Sequence, residues 1–324
     1  MNRSLQWIKA APTLRTICFL ATFAISAASA ATGAPQTPVS TPSAPSHTQV
    51  VILGAGTPAA DPDNSGPAVA VVVNGAAYLV DCGPGVVRRA AAAERKGVAA
   101  LAQGNLRIVF ITHLHTDHTL GYPDLIFTPW GARSDPLEAY GPLGLQSMTD
   151  HIEAAWQEDI DIRTKGLEQK NHVGYKVHVH EIEPGVVYKD TNVTVTAFPV
   201  AHGSWKHAFG YKFETADRTI VISGDTGPTD AIVKQCNRCD ILLHEVYSAA
   251  GFASTTAKSQ NYFSHFHTSS AELAREASDA KPSLLVLYHQ MSLRHGAAAN
   301  DEIVAEVKQH YSGKVVSAHD LDVF

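Results

Sequence analysis

Four side chains that can bind a metal stand within six positions of one another in the segment THLHTDH, residues 112–118. They are His113, His115, Asp117 and His118. The apolar run before them, residues 107–111, is typical of a strand, and side chains two positions apart in an extended segment share a face. Because buried imidazoles and carboxylates need partners, a cluster this dense favours a metal site over ordinary packing.

This segment resembles the HxHxDH signature of the metallo-β-lactamase superfamily. The resemblance implies further ligands at strand ends, and the chain supplies His202, Asp225 and His289 after apolar runs. One metal would be held by His113, His115 and His202, the second by Asp117, His118 and His289, with Asp225 bridging the two. The expected cofactors are two divalent cations, zinc by default, although Mn²⁺ and Fe²⁺ accept the same ligand types.

Strand and helix patterns alternate along the chain from Thr48 onward, and these elements must position the ligands. The predicted strands cover residues 49–53, 69–73, 77–80, 107–111, 177–182, 193–198, 209–214, 219–223, 241–244 and 284–288. The predicted helices cover residues 85–103, 118–128, 143–156, 229–235, 269–278 and 301–310. Mixed elements in this order fit an α/β (α+β) class, a four-layer αββα metallo-β-lactamase sandwich that forms a single domain over residues 48–324. Substrate specificity is expected from loops 129–142 and 248–264.

Two later segments narrow the resemblance to the ribonuclease Z and arylsulfatase-like branch. They are DILLHE at residues 240–245 and HFHTSS at residues 265–270. The resemblance makes His267 a proton donor and Glu245 its orienting partner, since a carboxylate stabilises an imidazolium. His265 is the alternative donor, and His267 could instead only cap the helix that begins near Ser269. Asp117 would both bind a metal and steer the nucleophile.

Three more residues receive weaker assignments. Asp81, in the segment LVDCGPG at residues 79–85, matches a superfamily motif whose expected role is to orient loops near the metals, or else it caps the following helix. His207 and Tyr211 are candidates for holding the substrate oxygens, although His207 could simply belong to a loop near the mouth of the site.

The expected function is that of an exported dinuclear-metal hydrolase that cleaves a small aryl sulfate or phosphodiester with a metal-bridging hydroxide. The resemblance to exported arylsulfatase-like members covers residues 48–324 and includes GAGTP at 54–58 and GYPDL at 121–125. Ribonuclease Z carries a long tRNA-binding insertion between strands that here run 209–214 and 219–223, and this chain has only a short turn there. A ribonuclease Z-type phosphodiesterase or endonuclease and a lactonase are the alternatives within the fold. A non-catalytic exported metal-binding protein is the alternative outside enzymes.

The N-terminus has the pattern of a secretory signal. Arg3, Lys9 and Arg15 flank or precede the apolar stretch 17–25, and ASA at residues 28–30 predicts cleavage after Ala30. An uncleaved anchor is the alternative. Residues 31–47, rich in Pro, Ala, Ser and Thr, predict a flexible tether, so the protein is expected to be periplasmic or secreted, with no membrane span after signal removal.

Charge suggests what the protein binds. Loss of residues 1–30, with three basic and no acidic residues, moves the formal charge from −6 to about −9. Long polyanions are bound through clustered Lys and Arg, and no basic run follows the signal, so nucleic acid is predicted to be an unlikely partner. A small-molecule ester is the expected substrate, and the family resemblance makes a homodimer plausible.

The cysteines of the mature chain leave one question open. Cys236 and Cys239 could form a local disulfide in an oxidising compartment or remain free thiols, and a single CxxC is weak support for structural zinc. Cys82 is expected to be a buried small side chain.

Overall fold

The computed structural model describes residues 48–293 and 299–324, so the predicted signal and tether lie outside the described residues. The strands are β1 (Thr48–Gly54), β2 (Ala68–Val73), β3 (Ala76–Val80), β4 (Ile108–Phe110), β5 (Leu137–Gly141), β6 (Val177–Glu181), β7 (Gly185–Lys189), β8 (Thr194–Pro199), β9 (Phe209–Glu214), β10 (Thr219–Ile222), β11 (Ile241–Tyr247), β12 (Leu284–Met291) and β13 (Val315–Ser317). The helices are α1 (Val86–Arg95), α2 (Thr116–Thr119), α3 (Tyr122–Phe127), α4 (Leu145–Ala155), α5 (Gln157–Lys165), α6 (Asp230–Cys236), α7 (Ala249–Ala253), α8 (Ala257–Phe266), α9 (Ser270–Ala280) and α10 (Ala299–Lys308).

Two sheets pack face to face. The first has the order β1-β2-β3-β4-β5-β6 and the second β13-β12-β11-β10-β9-β8-β7. Because successive side chains of a strand point to opposite faces, β2 places Val69, Val71 and Val73 between the sheets and its alanines on the outer face. Every residue of β2 is buried, since both of its faces are covered.

Helices cover the outer face of each sheet. Leu125 of α3 and Val86 of α1 belong to the apolar cluster on the first sheet, and Leu273 of α9 and Ile303 of α10 belong to the cluster on the second. The order of layers is therefore helix, sheet, sheet, helix, which confirms the predicted four-layer αββα sandwich. Across the described ranges, no helix is both long and apolar enough to cross a bilayer.

Several predicted elements differ in their bounds. The helix predicted over 85–103 ends at Arg95, because Gly97 adopts a left-handed φ of 106° shortly after it. The helix predicted over 118–128 is two short helices that meet at Gly121, where a Cβ would lie 2.3 Å from the Gly83 carbonyl oxygen. Strands β5, β7 and β13 were not predicted, and the predicted loop 248–264 contains α7 and most of α8.

The strands that precede the candidate ligands end at one edge of the sandwich. In the second sheet β8, β10 and β12 run in the same direction, because β8 and β10 are both antiparallel to β9 and β10 to β12 are parallel. Carboxyl ends of parallel strands share an edge, which is the usual place for a ligand site. Cys236, at the end of α6, forms a disulfide with Cys239, and Cys82 is buried with a free thiol.

Candidate metal centre

Three imidazoles converge on one point at this edge. Nδ1 of His115 lies 2.9 Å from Nε2 of His113 and 3.1 Å from Nε2 of His202. His113 and His115 come from the loop after β4 and His202 from the loop after β8, so both sheets contribute. The predicted grouping of these three histidines is the one that the fold brings together, and Asp225 joins them with ligand atoms within 4.8 Å of one another.

Asp117, His118 and His289 form a second group beside the first. Nε2 of His289 lies 3.2 Å from Oδ2 of Asp117, and Nε2 of His118 lies 3.6 Å from the same oxygen. Asp225 stands between the groups: its Oδ1 is 3.3 Å from His118 and its Oδ2 is 3.9 Å from Nε2 of His113. Two adjacent groups of side chains that could each hold a cation thus lie on either side of one carboxylate.

The donor atoms fit divalent cations. Nε2 of His118 and Oδ1 of Asp225 are buried and make no hydrogen bond to the described residues, although they face each other. Buried polar atoms without partners are costly unless something else binds them. Imidazole nitrogens and carboxylate oxygens are ligands that transition metals accept, so the chemistry of the cluster suits such ions.

The electrostatics favour metal-binding protonation states at His113, His202 and Asp225, whereas at His118 burial is outweighed by the carboxylates of Asp225 and Asp81, which raise the pKa of its ring well above the usual value. Burial lowers the pKa of His113 well below its usual value and that of His202 to about 4, so these rings are neutral near pH 7. Burial alone would raise the pKa of Asp225, but nearby histidines, chiefly His289 and His118, outweigh it and hold the pKa well below normal. Neutral imidazoles and an ionised carboxylate are the forms that bind metals.

Asp81 lies behind the second group. Its Oδ2 is 2.8 Å from Nδ1 of His118, while Thr112 donates its backbone N–H to Oδ1 at 2.8 Å and its hydroxyl to Oδ2 at 2.9 Å. Asp81 thus holds the His118 ring with Nε2 facing Asp225. The predicted role of Asp81 in orienting loops near the metals stays a prediction, and no side-chain hydrogen bond from it caps α1.

The pair Glu245 and His267 lies at the same edge. Nδ1 of His267 is 3.2 Å from Oε1 of Glu245 and 4.0 Å from Oδ2 of Asp225. Burial alone would lower the pKa of His267, but the Glu245 carboxylate outweighs it and the pKa lies above its usual value. His265, the alternative donor, is exposed on α8 and its Nδ1 contacts the Asn261 carbonyl at 2.7 Å. Helix α9 is capped by the Ser269 side chain, so capping does not account for His267.

The two predicted substrate contacts have different surroundings. Tyr211 is fully buried between the sheets and donates its hydroxyl to the Ile111 carbonyl at 2.8 Å. The predicted substrate contact of Tyr211 is therefore wrong, because its side chain packs in the core between the two sheets. His207 is partly exposed in the loop between β8 and β9, where a substrate contact stays a prediction.

Several residues at the site were not predicted from the sequence. Trp205 donates its indole N–H to Nε2 of His115 at 2.8 Å, and the Phe266 carbonyl lies 2.8 Å from Nδ1 of His202. Behind Glu245, Nε2 of His244 lies 3.7 Å from Oε2 of Glu276, and neither atom has a hydrogen bond within the described chain. His244 directly precedes Glu245 in the sequence, which is a signal for its place near the site. No local sequence pattern indicates Glu276.

A pocket of about 670 Å³ opens beside Asp117. Its other walls are the loop 57–66 after β1, Pro84 and Gly85 before α1, and Leu120. A space of this size next to the second group can admit part of a substrate.

The sequence and the fold both match known proteins. Residues 77–290 match the family described as "Beta-lactamase superfamily domain". A ribonuclease Z from Mycobacterium bovis is 29% identical over 281 residues, which cover 84% of this chain and 96% of the relative. Among solved structures, the metallo-β-lactamase fold protein YhfI from Bacillus subtilis superposes with a TM-score of 0.65 at 18% identity, covering 86% of this chain and 99% of that one. The short form of human tRNase Z superposes with a TM-score of 0.62 at 25% identity, covering 85% and 98%.

These relatives contradict the expectation about nucleic acid, and they change which of the two hydrolase functions is better supported. The inference that nucleic acid is an unlikely partner is wrong, because the ribonuclease Z relatives, named for acting on RNA, align with most of this chain. The net charge of the chain was a poor guide to its partner, because bound cations can be the largest local charges in a site whatever the sign of the whole surface. The relatives also support the ribonuclease Z alternative better than the exported arylsulfatase interpretation.

The family match spans more than half of the chain. The two groups of side chains that could hold a metal lie at the carboxyl ends of the strands, where this kind of fold usually has its site. The chain therefore belongs to the metallo-β-lactamase superfamily, and it is a metal-dependent hydrolase.

Proposed function

We propose that this chain is a phosphodiesterase of the ribonuclease Z type that cleaves RNA. The observation that carries the proposal is the His267–Glu245 pair, which lies at the metal-binding edge with Nδ1 of His267 4.0 Å from Asp225. The ribonuclease Z relatives, aligned along almost their whole length, supply the bond type.

The candidate ligands are His113, His115, His202, Asp117, His118, His289 and Asp225. Divalent metals held there would supply Lewis-acid polarisation of the ester and a water of lowered pKa. We propose zinc, because three histidines around one point with a shared carboxylate suit catalytic Zn²⁺. Asp117, whose Oδ2 faces His289, would also orient the nucleophile.

His267 would act as the general acid. Glu245 accepts backbone N–H groups from Thr226 and Thr268 on the same oxygen that faces His267, each at 3.2 Å. The carboxylate is thus held in place and favours the protonated imidazole, which can donate to the leaving oxygen. Glu245 is the positioning residue of this pair.

The test is a substrate panel with metal-loaded protein. A short RNA, bis-nitrophenyl phosphate, nitrophenyl sulfate and a lactone are compared by kcat/KM, with His115→Ala as the control for contaminating hydrolases. We expect the phosphodiesters to exceed the sulfate and the lactone by at least about tenfold. Faster cleavage of the sulfate or the lactone would overturn the proposal.

A small aryl sulfate or phosphodiester is the second candidate substrate. The connection between β9 and β10 has only four residues, 215–218, where the resemblance to ribonuclease Z implies a long tRNA-binding insertion. That observation favours a compact substrate. Cleavage of bis-nitrophenyl phosphate or nitrophenyl sulfate without cleavage of the short RNA would identify the compact substrate and overturn the RNA proposal.

We propose in addition that the protein is exported. Residues 1–30 have the composition of a cleavable signal, and the Cys236–Cys239 disulfide suits an oxidising compartment. Mass spectrometry of protein expressed in a bacterium should find a chain that begins at Ala31. A chain that keeps its first residues and stays in the cytosol would overturn this proposal.

A further inference from the structure

A layered aromatic wall flanks the candidate centre. Tyr262 of α8 is 41% exposed, and its ring stacks on Phe266 one turn later with 4.6 Å between centroids and 22° between planes. Phe266 in turn contacts the ring of His202 edge-on at 5.1 Å. It also fills the space over Gly203, where a Cβ would lie 2.3 Å from the Phe266 ring. The wall is therefore fixed to the residues that surround the site.

Tyr262 lies beside the proposed general acid, His267. Its ring centroid lies 5.6 Å from that of His267, with the two planes at 61°. Partial burial, followed by the nearby carboxylates of Asp225 and Asp117, raises the pKa of the Tyr262 hydroxyl. The side chain is thus neutral near pH 7 and presents an uncharged aromatic surface beside the acid.

We propose that Tyr262 is a stacking subsite for an aromatic ring on the leaving side of the substrate, either a nucleobase or the aryl group of an ester. The inference rests on the proposed function, in which His267 donates to the leaving oxygen. A group attached to that oxygen would lie near Tyr262, because the ring centroids of Tyr262 and His267 are only 5.6 Å apart. An exposed aromatic face binds planar rings with little sequence preference.

The position of Tyr262 and Phe266 in the chain agrees with a role in substrate specificity. Helix α8 lies in the segment 248–266, between the strand that carries Glu245 and the residue His267 itself. No residue of α8 is buried, so the sandwich core does not require Tyr262. Stacking on the Phe266 ring orders the Tyr262 side chain before a ligand arrives, which reduces the entropy lost on binding.

The test compares wild-type holoprotein with Tyr262→Leu and with the matched control Tyr262→Phe, which keeps the ring. One pair of substrates is a short RNA with a base or an abasic residue on the nucleotide that carries the leaving oxygen, and the other is a phosphodiester with a phenyl or an alkyl leaving group. We expect Tyr262→Leu to raise KM about tenfold for the ring-bearing member of a pair and to spare the ringless one. Tyr262→Phe should behave like wild type.

The two substrate pairs distinguish a nucleobase from an aryl group as the ring that binds Tyr262. A loss confined to the RNA pair identifies a nucleobase, and a loss confined to the phenyl ester identifies an aryl group. Equal losses within each pair, or no loss in either, would overturn the subsite.

A binding measurement keeps this test independent of turnover. Adenosine and phenol should bind wild type and Tyr262→Phe more tightly than Tyr262→Leu, with ribose as the control that has no aromatic ring. Equal binding to all three proteins would overturn the subsite, whereas absence of phosphodiester cleavage by wild type would overturn only the proposed function.

Discussion

Oδ2 of Asp81 accepts a hydrogen bond from Nδ1 of His118 over 2.8 Å, with both side chains buried. The contact fixes the tautomer of His118, because a proton on Nδ1 leaves Nε2 free as a ligand atom toward Asp225. Asp81 has a left-handed φ of 59°, which Asp and Asn tolerate better than other residues with a Cβ. Its backbone and its side chain are thus both specialised for this contact.

Replacement of Asp81 should weaken metal binding without removing a ligand. We expect Asp81→Ala to lower the affinity for the second metal about 10–100-fold, because the His118 ring loses its orienting partner. Asp81→Asn should lose less, since its amide oxygen can still accept from His118 and Asn tolerates the same φ. Titration with a competing chelator measures both, and unchanged affinity in Asp81→Ala would contradict the orienting role.

The two groups of ligands should bind separate ions. His115→Ala and His289→Ala should each reduce the metal content from about two ions per chain to about one, because each removes one donor from a different group. Elemental analysis after dialysis measures the content. His207→Ala is the control, since His207 belongs to neither group, and its metal content should equal that of wild type.

Removal of His267 should affect substrates according to their leaving groups. We expect His267→Ala to slow hydrolysis of an alkyl or ribose phosphodiester about 10²–10⁴-fold, because the leaving alkoxide needs a proton. Nitrophenolate leaves without one, so the loss with bis-nitrophenyl phosphate should be less than about tenfold. Equal losses for both classes would show that His267 is not the acid.

Glu276 should make stability depend on pH. Burial raises its pKa from 4.5 to about 7, so the folded protein holds a proton that the unfolded chain releases between those values. Its contribution is neutral below about pH 4.5, becomes progressively unfavourable between about pH 4.5 and 7, and levels off above about 7 at a cost on the order of 3 kcal/mol. His244, Glu245, Glu272 and Asp230 are the ionisable groups around it.

Glu276→Gln is the matched variant for this effect. Its amide oxygen can accept from the Thr229 N–H, as Oε1 of Glu276 does at 2.6 Å, and its NH₂ can donate to Nε2 of His244. Denaturant unfolding at pH 5 and pH 8 should show a smaller loss of stability in this variant than in wild type. The same loss in both proteins would assign the pH dependence to other groups.

Much of the candidate centre could be predicted because ligands at strand ends leave a local pattern. The segment 112–118 contains four of the candidate ligands in sequence, and His202 and Asp225 each follow an apolar run that forms a strand. The continuous apolar run that predicts β2 is also consistent with the burial of both of its faces. Tyr211 shows the limit of this reasoning, because a tyrosine near the site in sequence can still point between the sheets.

The sequence by itself determined the superfamily, the two-sheet class and the types of the metal-binding side chains, since these depend on short motifs and local periodicity. The family resemblance implied which ligands belong together, but only the tertiary structure shows them meeting, as with His289 and Asp117, which are 172 positions apart and 3.2 Å from each other. It also placed Glu276 against His244 and Tyr262 against His267. Such contacts depend on how two sheets and their outer helices pack, and a local pattern carries no record of which distant residues that packing brings together.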